Sequence, residues 1–204
     1  MRLKRKKGIL YLIADCEGGL APIEEALRAG VDYLQLREKN ISSAEYLRRA
    51  RAVKGLCEAY RTPLIINDRA DIALLCGADG VHLGASDIPV DEARRLLGEG
   101  FIIGATAKTA AQAAQAQKKG ADYLGSGAFF KTSTKSDAAL MEPETYREIL
   151  ASVTIPDLAI GGLTPENCGL PLSLGADGLA VSGGILRSGD IGGAVRAFRR
   201  LLEA

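Results

Sequence analysis

Residues 77–83, Gly77-Ala78-Asp79-Gly80-Val81-His82-Leu83, end one helix-like segment and start a short apolar run. The same junction stands at Gly30-Val31-Asp32, Gly120-Ala121-Asp122 and Gly175-Ala176-Asp177. Glycine in that place suits the residue just past a helix, where φ is positive. The runs that follow, 33–36, 80–83, 123–125 and 178–181, have the length and bounding glycines of strands. Further runs lie between the junctions at 9–14, 64–66, 101–103 and 158–160. Pro63, Gly100 and Pro156-Asp157 punctuate three of their starts. Helical patterns fill 43–60, 90–97, 110–119 and 191–202. The junctions recur at intervals of 47, 43 and 55 residues, each spanning two strand-plus-helix units. Eight such units occupy residues 1–204, and alternating strand and helix means a parallel sheet. The expected fold is therefore a single-domain α/β TIM barrel, a compact (β/α)8. An open doubly wound sheet is the alternative. It would be favoured by G-x-G-x-x-G after the first strand, where Asp15-Cys16-Glu17-Gly18-Gly19 stands instead.

The composition agrees. The chain has 204 residues, 47% hydrophobic and 25% charged, with a net charge of +1. Those values suit a globular protein and exclude a disordered, collagen-like or coiled-coil chain. Near-neutral charge argues against a nucleic-acid binder. Arg2, Lys4, Arg5, Lys6 and Lys7 make a basic start, but the apolar run behind them ends at Asp15, too early for a signal peptide. No stretch approaches the ~20 apolar residues of a membrane span. The scattered Cys16, Cys57, Cys76 and Cys168 form no C-x-x-C pair, so reduced thiols and a cytoplasmic location are expected. Nothing in the sequence sets the oligomeric state.

Barrel chemistry sits at the C-terminal strand ends. After the second strand come Gln35-Leu36-Arg37-Glu38-Lys39. Side chains alternate along a strand, so Gln35, Arg37 and Lys39 share the inner face while Leu34 and Leu36 face the helices. Cations pointing into a barrel mouth are costly unless an anion meets them. Asp68, after the third strand, and Asp87, after the fourth, are carboxylates at one rim, a pattern that suits Mg²⁺ bound with substrate phosphates. Asp87 could instead cap the helix beginning near Pro89. The loops after strands seven and eight, Gly161-Gly162-Leu163-Thr164-Pro165 and Ser182-Gly183-Gly184, let backbone N–H groups approach a phosphate. Thr164-Pro165 also has the form of an N-cap followed by Pro at the first helical position. The loop after strand six, 127–137, is long, rich in hydroxyls and carries Lys131 and Lys135, which suits a flap over phosphates. The sole histidine, His82, excludes a multi-histidine metal site.

Together, Gln35-Leu36-Arg37-Glu38-Lys39, Asn67-Asp68-Arg69, 77–84, Thr132-Ser133-Thr134-Lys135 and Ala159-Ile160-Gly161-Gly162 resemble the thiamine phosphate synthase family, in the family's order and over nearly the whole chain. The resemblance implies a Mg²⁺-dependent transferase that joins a hydroxymethylpyrimidine diphosphate to a thiazole phosphate and releases pyrophosphate. It assigns Gln35, Arg37, Glu38, Lys39, Asn67, Thr106 and Lys135 to the pyrimidine diphosphate, with Arg37 and Lys135 catalytic. It assigns Asp68 and Asp87 to magnesium, and Thr132, Ser133, Thr134, Gly161, Gly162, Ser182 and Gly183 to the thiazole phosphate. Ala85 stands where a glutamine is common, Lys131 where a proline is usual, and Ser182-Gly183 where Val-Ser is frequent. The partners implied are small phosphorylated substrates, with no nucleic acid and no membrane. Two alternatives are a thiazole tautomerase-like relative, which has no need of Asp68, Asp87, Lys39 and Lys135, and a non-catalytic binder of thiazole or thiamine phosphates.

Overall fold

Eight parallel strands close into a barrel in sequence order, β1-β2-β3-β4-β5-β6-β7-β8. The computed structural model describes residues 7–132 and 139–203. The strands are β1 Ile9–Ala14, β2 Tyr33–Leu36, β3 Leu64–Asn67, β4 Gly80–Leu83, β5 Ile102–Ala107, β6 Tyr123–Gly127, β7 Asp157–Ile160 and β8 Gly178–Val181. The helices are α1 Ala21–Ala29, α2 Ser43–Ala59, α3 Ala70–Cys76, α4 Val90–Leu97, α5 Ala110–Lys118, α6 Pro143–Ser152, α7 Gly169–Ser173, α8 Gly183–Leu186 and α9 Ile191–Glu203. The expected barrel is thus the observed one, and the open sheet is excluded by the β1–β8 pairing.

Strand alternation divides the core in two. Ile9, Tyr11, Ile13, Ile65, Ile102, Tyr123 and Leu158 point into the barrel. Leu10, Leu12, Leu34, Leu36, Leu64, Ile66, Val81 and Leu83 point outward against the helices. β5 runs four residues beyond the expected 101–103. Its extension begins at Gly104, which looks like a strand terminus in sequence. Its lack of a side chain is a packing device: a Cβ there would lie 2.1 Å from the Tyr123 ring.

The four Gly-x-Asp junctions act at the opposite end from the strand C-termini. Gly30, Gly77, Gly120 and Gly175 all have positive φ. Each following aspartate clasps the strand before it. Asp32 Oδ2 accepts from the Leu10 amide (2.9 Å), Asp79 Oδ2 from Leu64 (2.8 Å), Asp122 Oδ2 from Ile103 (2.8 Å) and Asp177 Oδ2 from Asp157 (3.0 Å). Each aspartate's own amide donates back to the carbonyl of the same residue. The clasps satisfy strand-end amides that would otherwise cost about 1–3 kcal/mol each when buried. Arg199, Lys54 and Arg94 pair with Asp32, Asp79 and Asp122 respectively.

Candidate active site at the barrel mouth

The inner face of β2 continues past its last hydrogen-bonded residue. Gln35 is buried in the barrel, and its Nε2 donates to the Tyr11 hydroxyl at 3.0 Å. The Arg37 amide donates to Ala14 O (2.8 Å), which prolongs the β1–β2 pairing to the rim. The Arg37 guanidinium is half-buried and makes no hydrogen bond or ion pair among the described residues. Lys39 lies exposed at the rim, its Nζ 2.5 Å from Asp68 Oδ2.

Glu38 is buried and engaged within the protein. One carboxylate oxygen accepts from the Cys16 amide (2.9 Å) and the other meets Arg49 Nη1 (3.0 Å). It has the opposite strand parity to Arg37 and Lys39, so it ties the β1–α1 loop to α2 instead of facing the mouth.

Asp68 has φ of 64°, a left-handed conformation uncommon for a residue with a Cβ. Its amide donates to His82 O at 2.8 Å. Its carboxylate lies within hydrogen-bonding reach of Asp87, whose Oδ2 also accepts from the Gly84 amide (2.7 Å). The Asp87 side chain thus folds back on its own loop, while α4 begins after Pro89 without a side-chain cap. Burial raises both carboxyls. For Asp68 it is outweighed by hydrogen bonds from Lys39 and with Asp87, which hold its pKa below the usual range. For Asp87, burial and the Asp68 carboxylate push the pKa up. The two carboxyls thus shift in opposite directions, as like charges in contact do. Such a two-carboxylate rim fits a hard cation that takes its remaining ligands from substrate phosphate and water. Among the described residues no cluster of three or more His, Cys, Asp or Glu is placed to hold a metal.

Asn67 is buried at the end of β3, on the inner parity set by Ile65. Thr106, half-buried near the end of β5, meets His82 Nε2 through its Oγ1 at 3.1 Å. His82 is buried and its Nδ1 lies 3.1 Å from the Tyr123 hydroxyl. Burial lowers its pKa to about 4 against the opposing pull of Asp68, so its ring is neutral near pH 7. Tyr11 and Tyr123 join hydroxyls at 2.7 Å. Both tyrosines escaped the sequence reading because each lies in an apolar run and passes for core. The signal was their inward parity beside Gln35 and His82.

The far rim is formed by three loops in contact. Gly161 and Gly162 have φ of 104° and 63°. A Cβ on Gly162 would lie 2.5 Å from Lys131 O, and one on Gly184 would lie 2.2 Å from Leu163 O. Thr132 is half-buried in the first of these loops. Ser182 O accepts from the Ile185 and Leu186 amides and starts α8, with Gly183 at its first residue. Ser133, Thr134 and Lys135 lie outside the described residues. Thr164-Pro165 does not start a helix as expected: Asn167 Oδ1 takes the Thr164 amide, the segment closes as a turn, and α7 begins at Gly169. A depression of about 450 Å³ lies beside this rim, lined by residues including Thr164, Glu166, Gly183, Arg187, Asp190 and Gly193. Of these, only Gly183 belongs to the expected phosphate set.

Comparisons with known proteins place the chain in a family of this fold. The family described as thiamine monophosphate synthase matches residues 10–185. The chain is 43% identical over 199 residues to thiamine-phosphate synthase 2 of Streptococcus pneumoniae serotype 4, covering 95% of each. It is 45% identical over 186 residues to the thiamine-phosphate synthase of Fusobacterium nucleatum, covering 89% of this chain and 90% of that one. The thiamine phosphate pyrophosphorylase structure from Pyrococcus furiosus superposes with a TM-score of 0.88 at 35% identity, covering 98% of this chain and 97% of that one. On this evidence the chain belongs to the thiamine monophosphate synthase family.

Proposed function

We propose that the transferase activity of a thiamine-phosphate synthase, which family membership gives this chain, is carried out at the barrel mouth described above. Gln35, Arg37, Lys39, Asn67, Thr106 and Lys135 receive the pyrimidine diphosphate. Thr132, Ser133, Thr134, Gly161, Gly162, Ser182 and Gly183 receive the thiazole phosphate. The thiazole nitrogen attacks the pyrimidine methylene with its own lone pair, and the C–O electron pair leaves with the diphosphate. No general base is required, which accords with a mouth whose only histidine is buried and neutral. The protein's task is to hold the departing charge with preorganised donors. Asp68 and Asp87 would hold Mg²⁺, which when bound neutralises diphosphate charge. The observation that carries this reading is the convergence of Lys39, Asp68 and Asp87 at one rim. A tautomerase would have no use for that cluster. Four free cysteines suit a reducing compartment, so the cytoplasm is the proposed location. No helix among the described residues is long and apolar enough to cross a membrane.

The test is incubation of the protein with pyrimidine diphosphate, thiazole phosphate and Mg²⁺, following pyrophosphate release. Stoichiometric thiamine phosphate and pyrophosphate are expected. Binding of both substrates without turnover would overturn the reading in favour of a non-catalytic binder.

A further inference from the structure

Five side chains from five strands form one hydrogen-bonded chain through the barrel interior. It runs Gln35 Nε2 to Tyr11 hydroxyl (3.0 Å), to Tyr123 hydroxyl (2.7 Å), to His82 Nδ1 (3.1 Å), and from His82 Nε2 to Thr106 Oγ1 (3.1 Å). The barrel is shaped around it. A Cβ on Gly104 would strike the Tyr123 ring at 2.1 Å, and one on Gly125 would lie 3.2 Å from His82 Cε1. Tyr11 and Tyr123 are each 1% exposed, so water does not substitute for a missing partner.

The direction of the chain follows from its first link. With Gln35 Nε2 turned to Tyr11, Tyr11 accepts there, and every hydroxyl in the chain finds an acceptor when Tyr11 donates to Tyr123. Tyr123, accepting from Tyr11, must in turn donate to His82 Nδ1. A neutral imidazole carries one N–H. With Nδ1 accepting, that hydrogen sits on Nε2 and is donated to Thr106. Thr106 then has its own O–H free for a ligand in the mouth, and Gln35 keeps its carbonyl oxygen as an acceptor. The two ends of the chain thus offer one donor and one acceptor of fixed sense.

We propose that Tyr123 is a positioning residue of the active site: by donating to His82 Nδ1 it holds His82 in the Nε2–H form and so makes Thr106 a hydrogen-bond donor to the substrate. That Thr106 meets the aminopyrimidine rests on the function proposed above. The direction of the chain does not.

Because His82 is the only histidine, ¹⁵N-histidine labelling gives one unambiguous pair of ring-nitrogen signals. In the ligand-free protein a pyrrole-type Nε2 and a pyridine-type, hydrogen-bonded Nδ1 are expected. A pyrrole-type Nδ1 in the wild type would overturn the proposal without any variant. Tyr123→Phe keeps the ring and removes only the donor, so the Nδ1 signal should move to that of an unbonded nitrogen. Ring-nitrogen signals that stay in place would also overturn it. In steady-state kinetics Tyr123→Phe should raise KM for pyrimidine diphosphate about tenfold, the effect of one neutral hydrogen bond, and leave KM for thiazole phosphate unchanged. A merely structural role would move both constants or neither, and either result would defeat the positioning role. Absence of turnover in the wild type would sink the proposed function, while the NMR result would still decide the direction of the chain.

Discussion

Lys39, Asp68 and Asp87 meet within one hydrogen-bonded cluster, although 29 residues separate the first two. Removing Asp68 leaves Lys39 without its partner and a proposed cation with one carboxylate. Asp68→Ala should lower turnover severely, and activity should vanish in chelator and return with Mg²⁺. Full activity in chelator would refute the metal assignment. Arg37 and Lys135 are the cations proposed to take up charge on the leaving diphosphate. Loss of such a donor typically costs 10²–10³ in kcat, about 2.7–4 kcal/mol. Lys135→Ala should show that loss at saturating substrates, and Arg37→Lys should remain impaired because it loses the planar fork. A normal kcat with raised KM in Lys135→Ala would make Lys135 a binding residue only. At this scale the sequence was legible where parity decided, as for Gln35, which reaches the Tyr11 hydroxyl in the barrel interior. Glu38, which the resemblance assigns to the pyrimidine diphosphate, has the opposite parity, and its pairing with Arg49 is visible only in the fold. Tyr123 was hidden because a strand pattern does not tell a hydroxyl that bonds from a ring that fills.

Single elements explain the next level of stability. β7 opens with Asp157, fully buried and accepting from the Ser126 and Tyr146 hydroxyls at 2.6 and 2.8 Å. Burial raises its pKa to about 6; those two hydrogen bonds lower it, and Asp177 adds to the rise. The fold therefore prefers the protonated acid. The stability this gives is complete below pH ~4, the unfolded value, and is lost as pH rises through 6. At 1.36 kcal/mol per unit the span is about 3 kcal/mol. Chemical denaturation at pH 4 and pH 7 should show Asp157→Asn gaining about that much on the wild type across the interval. Parallel stability curves would contradict it. The clasp at the start of β6 predicts an effect of similar size. Asp122 is buried between the Ile103 amide and Arg94, so Asp122→Ala leaves both without a carboxylate and should cost about 3 kcal/mol in a denaturant titration. Strand positions were readable from bounding glycines and prolines. The length of β5 and the start of α7 were not, because Gly104 and Asn167 act through contacts that sequence order does not reveal.

For the molecule as a whole, the fold was legible because one junction is written four times, and its spacing counts the strands before any is seen. The mouth was legible in part, since strand ends locate it, whereas the way loops after β6, β7 and β8 touch depends on closure of the barrel. The four aspartate clasps carry one further consequence. Each joins an odd strand to the even strand that follows, whereas successive pairs are linked at this end by backbone bonds such as Ile102 N to Asp79 O. The barrel is therefore built of four two-strand units, each closed by its own side-chain clasp and joined to the next by strand pairing. A cut in the chain after α4, between units, leaves two complete modules on each side. A cut between β3 and β4 separates Leu64 from the Asp79 that completes it. Co-expressed halves divided at Gly98 should reassemble into a soluble barrel on size-exclusion chromatography, and halves divided between β3 and β4 should not.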